Sequence, residues 1–106
     1  MYEIVGDLIE KKGNVAGKVY QFRLDQNYPN PFNPVTKINF ELPSEGRVLV
    51  ELFDIMGKRV EEILNAEMSS GPHSIVLNGT KLSTGVYFVK LKFGKYTAIK
   101  KMILLK

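Results

Sequence analysis

Thr36-Lys37-Ile38-Asn39-Phe40-Glu41-Leu42 carries the pattern that decides the fold: Ile38, Phe40 and Leu42 alternate with Lys37, Asn39 and Glu41. Successive side chains of a strand point to opposite faces, so a period of two marks a strand with one buried face. A helix would repeat its apolar positions every 3.6 residues instead. Working outward, Val48, Val50 and Leu52 repeat the alternation, and so do Tyr87, Val89, Leu91 and Phe93, with Lys90 and Lys92 between them. The pattern predicts that Ile38, Phe40, Val48, Val50, Leu52, Tyr87, Val89 and Leu91 are buried.

The residues between these runs are turn formers. Pro43-Ser44-Glu45-Gly46 separates two of them. In Asp54-Ile55-Met56-Gly57, an aspartate at the first position of a type I turn can cap backbone N–H groups, and Gly57 supplies a left-handed residue. Asn78-Gly79 reads as a hairpin turn, and Gly94-Lys95 suits a two-residue hairpin with glycine at positive φ. Seven strands are expected, at about Val19–Leu24, Thr36–Leu42, Arg47–Phe53, Arg59–Leu64, His73–Leu77, Val86–Phe93 and Tyr96–Leu105. Short strands with turns at this spacing predict an all-β, antiparallel sandwich or barrel, and the period-two runs favour the two-layer sandwich. Residues 1–18 fit either a helical face (Ile4, Val5, Leu8, Ile9) or a strand and turn. They are expected to be a linker or the tail of a preceding region, with the domain proper at 19–106.

The 106 residues suit one domain, and 44% hydrophobic with 25% charged residues suits a packed core. With no cysteine, neither a disulfide framework nor a thiolate site is available. No apolar run approaches the roughly 20 residues that span a bilayer. Met1-Tyr2-Glu3 lacks the basic start of a signal peptide, so an exported protein of this kind would have its true N-terminus elsewhere.

Charge is uneven. Through Glu67 the chain has eight Lys/Arg against eleven Asp/Glu, and from Met68 onward it has seven lysines and no acid. Such asymmetry suits either an electrostatic docking surface or lysines that protect a sheet edge from aggregation. The basic residues there are all lysine and accompany no nucleic-acid motif, so nucleic acid is not the expected partner.

The most distinctive segment is Leu24-Asp25-Gln26-Asn27-Tyr28-Pro29-Asn30-Pro31-Phe32-Asn33-Pro34. Its three prolines fix φ and remove N–H donors, which excludes helix and central strand. Its asparagines can hydrogen-bond their own backbone instead. An ordered loop follows from Gln26 to Pro34, with Tyr28 and Phe32 folded onto the sandwich rather than forming an aromatic ligand platform.

From Leu24 to Leu42-Pro43 the chain resembles the opening signature of the type A C-terminal sorting domains of the type IX secretion system. The resemblance continues through Asp54 and Gly57, Gly71 and His73, and Leu82 through Gly85 to Tyr87. It ends in the basic-apolar strand Lys100-Lys101-Met102-Ile103-Leu104-Leu105-Lys106. Leu77 stands where the family commonly has Trp, and Thr84-Gly85 where it favours Ser-Gly; both keep the local chemistry. The resemblance implies an Ig-like sandwich that serves as an export address. The outer-membrane translocon and its shuttle protein would recognise it, a sortase would usually remove it, and the cargo domain would end at the cell surface or outside. Two segments would be the sorting motif: Asn27, Tyr28, Pro29, Asn30, Pro31, Phe32, Asn33 and Pro34, and the closing run from Lys100 to Lys106. Asp54, Gly57, Gly71, Asn78, Gly79 and Gly85 would be structural turns.

Catalytic chemistry has little material. His73 is the single histidine, and a Gly-Pro-His at a strand start suits packing or hydrogen bonding. Glu61 and Glu62 are adjacent, hence on opposite faces of a strand, which is wrong for paired carboxylates. Asn78-Gly79-Thr80 matches a glycosylation sequon but reads as a turn. No enzyme activity, metal site or cofactor is expected. The competing reading is an Ig-like accessory or glycan-binding module beside a catalytic domain, and fold alone cannot separate the two.

Overall fold

The computed structural model describes residues 19–106; the expectations for residues 1–18 lie outside the described residues. Its strands are β1 (Arg23–Leu24), β2 (Val35–Leu42), β3 (Gly46–Asp54), β4 (Arg59–Met68), β5 (Gly71–Asn78), β6 (Gly85–Phe93) and β7 (Tyr96–Leu104). They form two antiparallel sheets, ordered β1-β2-β5 and β4-β3-β6-β7. This is the expected all-β sandwich.

The inward phase of each strand builds one core. Ile38, Phe40 and Leu42 from one sheet meet Val48, Val50, Leu52, Val89 and Leu91 from the other, all at most 1% exposed. Tyr87 is also buried, so all eight side chains expected inside are there. Each fully buried side chain of this size stabilises the fold by about 1.5–3 kcal/mol.

Two hairpins lie within the larger sheet. Between β3 and β4, Asp54 Oδ1 accepts the N–H groups of Met56 and Lys58, both at 2.9 Å, and Gly57 takes φ +84°. Between β6 and β7, Gly94 has φ +56° in the two-residue turn. Both match the turn chemistry in the sequence. The strand β4 runs four residues beyond the expected Leu64, and its pairing with β3 shifts register at Val50/Glu51 and Leu52/Phe53.

Two expectations are corrected. Only Arg23 and Leu24 of the segment Val19–Leu24 pair as a strand, with Glu41 and Phe40. The reason lies at Gln21, whose N–H donates to Glu41 Oε2 at 2.9 Å and so is taken by a side chain instead of a ladder carbonyl. Phe22 then stacks on Tyr96 with ring centroids 4.9 Å apart. The second correction is Asn78-Gly79. It closes no hairpin, because β5 and β6 belong to different sheets. Instead it starts a crossover, with Asn78 Oδ1 accepting from the N–H and hydroxyl of Thr80.

Candidate functional site

The segment Gln26–Pro34 connects β1 to β2, and its order comes from one buried amide. Asn27 is 2% exposed and donates from Nδ2 to Pro29 O and to Thr36 Oγ1, each at 3.0 Å. The Thr36 hydroxyl donates to the same Pro29 carbonyl at 2.9 Å, while Asn27 Oδ1 accepts from Gln26 Nε2 at 2.8 Å. Both buried side chains are thereby satisfied, as burial of polar groups requires. The loop also pairs with the strand it enters, since Tyr28 and Lys37 exchange both backbone hydrogen bonds at 3.0 Å. The peptide bonds before Pro29, Pro31 and Pro34 are all cis.

The two aromatic rings of the loop part ways. Phe32 is 1% exposed and belongs to the core. Tyr28 is 81% exposed, contrary to the expectation that prolines hold both rings inward. Parity explains it: the backbone of Tyr28 pairs with Lys37, an outward position of β2.

Between Gln26 and Phe32, the loop lies along the outer edge of the last strand. Gln26 Nε2 donates to Lys101 O at 2.7 Å, and Asn30 Oδ1 accepts the N–H of Ile103 at 3.0 Å. Phe32 N–H donates to Ile103 O at 2.9 Å, and Leu105 N–H donates to Phe32 O at 3.0 Å. The two segments that the sequence singles out are therefore one hydrogen-bonded unit. Gly79 completes it from the crossover. Its N–H donates to Pro34 O at 2.7 Å, and a Cβ there would sit 3.2 Å from both Phe32 Cε2 and Leu104 Cδ2. Glycine is what lets Phe32 and Leu104 meet beneath the turn.

The closing segment Lys100–Lys106 is split by its alternation. Met102 and Leu104 are fully buried, while Ile103 is half-buried on the outer side and Leu105 is exposed. Lys100 is registered with core residue Val89, and Lys101 with Phe88 on the outer side. Lys106 is tied back: its N–H donates to Thr84 Oγ1 at 3.1 Å, and its Nζ to Thr80 O at 2.6 Å. In the loop, Pro29, Asn30, Pro31 and Asn33 are exposed and Pro34 is half-buried.

The turn residues divide similarly. Gly71 takes φ +103° where the chain enters β5, close against the Tyr20 ring. Gly85 simply begins β6. His73 contacts Ser69 O through Nε2 at 2.7 Å and packs against Phe40, with ring centroids 5.5 Å apart, a bonding and packing position. Glu41 is held below the ordinary carboxylate range, first by the Gln21 N–H and then by the charge of Arg23, against the opposing effect of desolvation. Arg23 is raised in turn, chiefly by its hydrogen bond to Asp25 at 2.7 Å.

Sequence reasoning missed two residues of this unit. Thr36 could have been found, because it is a polar side chain in the inward phase of Ile38 and Phe40 and so needs a buried partner. Gln26 left no comparable signal, since its role depends on which strand end passes nearby.

Fold and site define a class of protein: a sandwich module whose distinctive chemistry is a surface unit joining a proline-rich loop to the last strand. Residues 26–105 match the family model described as the secretion system C-terminal sorting domain, and the chain belongs to that family. A search among curated proteins found no match. The family is a sorting signal for type IX secretion, which directs export through the outer membrane to a secreted or cell-surface location, and is not a catalytic domain. Nothing favours the accessory or glycan-binding reading.

Proposed function

We propose that the unit formed by loop residues Asn27–Pro34 and the closing segment Lys100–Lys106 is what the type IX machinery reads, with the translocon and its shuttle protein as the readers and a sortase acting afterwards. Residues 1–18 then serve as the link to the cargo. The observation that carries this reading is the side-chain and backbone pairing of Gln26, Asn30 and Phe32 with Lys101, Ile103 and Leu105. The edge of the last strand that faces away from β6 is thus completed by the folded loop. A reader of that end therefore distinguishes a folded signal from an unfolded one.

The test is the double substitution Gln26→Ala/Asn30→Ala in the chain fused to a fluorescent reporter behind a signal peptide. Three hydrogen bonds are lost, from Gln26 Nε2 to Lys101 O and to Asn27 Oδ1 and from Ile103 N–H to Asn30 Oδ1, each worth about 0.5–1.5 kcal/mol, so folding of the variant is checked by its melting profile. Export into the medium falls while the variant still melts cooperatively above the temperature of the assay, and Asn30→Asp, which keeps the acceptor, retains export. Undiminished export of the double variant overturns the reading.

A further inference from the structure

We infer that the outer face of β6 and β7 is a docking surface for an acidic, partly apolar surface on the protein that reads this signal. The inference rests on the sorting function proposed above and extends the recognised surface from Lys101 and Ile103 of the closing segment to Phe88, Lys90, Lys92 and Ile99. Register sets Val86 beside Ile103, Phe88 beside Lys101, Lys90 beside Ile99 and Lys92 beside Thr97, all pointing away from the core. Phe53 of β3 continues the row beyond Phe88. The result is an apolar stripe of Phe88, Ile99 and Ile103 bordered by Lys90, Lys92 and Lys101. Ile99 is 56% exposed within it.

Lys90, Lys92 and Lys101 stand in none of the ion pairs among the described residues, every one of which uses an arginine. Glu51 lies directly opposite Lys90 in register, yet its carboxylate goes to Arg59 at 3.1 Å. The Lys90 ammonium sits over the Phe53 ring instead, 5.6 Å from its centroid. No acid follows Glu67 in the chain. The lysines of the closing segment do not all join in: Lys100 takes the core-facing phase, and Lys106 is bound to the Thr80 carbonyl. The inward charge of Lys100 protects the strand edge, while Lys90, Lys92 and Lys101 present cations on a face.

Three cations around an apolar stripe are complementary to carboxylates around an apolar patch, and such complementarity chiefly sets encounter rate and specificity. An anionic lipid surface fits less well. Lipid binding of this kind buries protruding apolar side chains about 5–10 Å deep. Here Phe88 and Ile103 are half-buried in a sheet, and Ile99 alone of the stripe is exposed.

The experiment compares Lys90→Glu/Lys92→Glu with Lys58→Glu/Lys81→Glu in the reporter fusion of the full chain. Lys58 and Lys81 are exposed elsewhere, in the β3–β4 turn and the β5–β6 crossover, so the net charge change is equal. Export of the Lys90/Lys92 variant slows on the order of tenfold while the control keeps the wild-type rate, with both variants still melting cooperatively above the temperature of the assay. Equal slowing of both variants reduces the effect to net charge and overturns the inference. If neither slows while the wild type is exported, the docking face is rejected and the sorting function stands. A wild type retained in the periplasm removes both. Purified fusion is also sedimented with vesicles of equal parts phosphatidylcholine and phosphatidylglycerol. Lysine-dependent binding there would assign the face to lipid and overturn the protein partner.

Discussion

Asn30 Oδ1 accepts the amide hydrogen of Ile103 at 3.0 Å, across 73 positions of sequence. The contact joins the start of the domain to its end, and no intervening strand shares it. β7 is an edge strand, and its last residues would present unpaired backbone groups to solvent without this loop. The amide of Ile103 should therefore exchange slowly with solvent deuterium. In Asn30→Ala it should exchange faster, while amides in the centre of β6 keep their protection. Unchanged exchange at Ile103 would mean that the side chain does not hold the strand.

Phe32 and Tyr28 should respond oppositely to truncation. Phe32→Ala removes a ring that is 1% exposed and should cost about 3–5 kcal/mol in a denaturant melt. Tyr28→Ala removes a ring that is 81% exposed and should change stability by no more than about 0.5 kcal/mol. Similar losses at the two positions would contradict the packing described.

Gly79→Ala should destabilise by about 1–3 kcal/mol through overpacking. Its Cβ would lie 3.2 Å from Phe32 Cε2 and Leu104 Cδ2, and 3.3 Å from the Pro34 carbonyl, which is backbone and yields little. A double variant with Phe32→Leu should recover part of the loss, because it withdraws one of the two crowding side chains. Strictly additive losses would rule out this contact as the cause.

Acid should loosen the join between Gln21 and β2. The Glu41 carboxyl is held below its ordinary value, so its stabilising contribution is fully present above the unfolded value of about 4.3. It is lost as pH falls through the lower folded value. Melting temperatures of the wild type and Glu41→Gln should thus differ at neutral pH and converge as pH drops below about 4. A constant difference across that range would show that the carboxylate charge contributes nothing.

Much of the fold is legible in side-chain alternation. Ile38, Phe40 and Leu42 reveal both their strand and its buried face, because a sandwich strand has only two sides. Asp54 with Gly57, and Gly94, reveal their hairpins because the φ +84° and +56° of the two glycines favour that residue. Pairing partners are less legible. Asn78-Gly79 has hairpin chemistry, yet it opens a crossover, since which sheet a strand joins depends on the whole core. The loop shows a similar limit. Its prolines exclude regular structure, but the outward turn of Tyr28 follows from its pairing with Lys37, which composition does not encode. The lysine run is one feature in sequence and three in space: Lys100 inward, Lys101 on the outer face and Lys106 tied to the crossover.

This folded domain should suffice as the export address, and the location of an attached reporter reads that out. The full chain is placed behind a fluorescent protein carrying a signal peptide, in a host with a type IX system, and fluorescence is fractionated among periplasm, cell surface and medium. The account predicts reporter at the surface or in the medium, and its retention in the periplasm when the translocon is disabled. A fusion that is folded and intact but stays in the periplasm of the secreting host would contradict it.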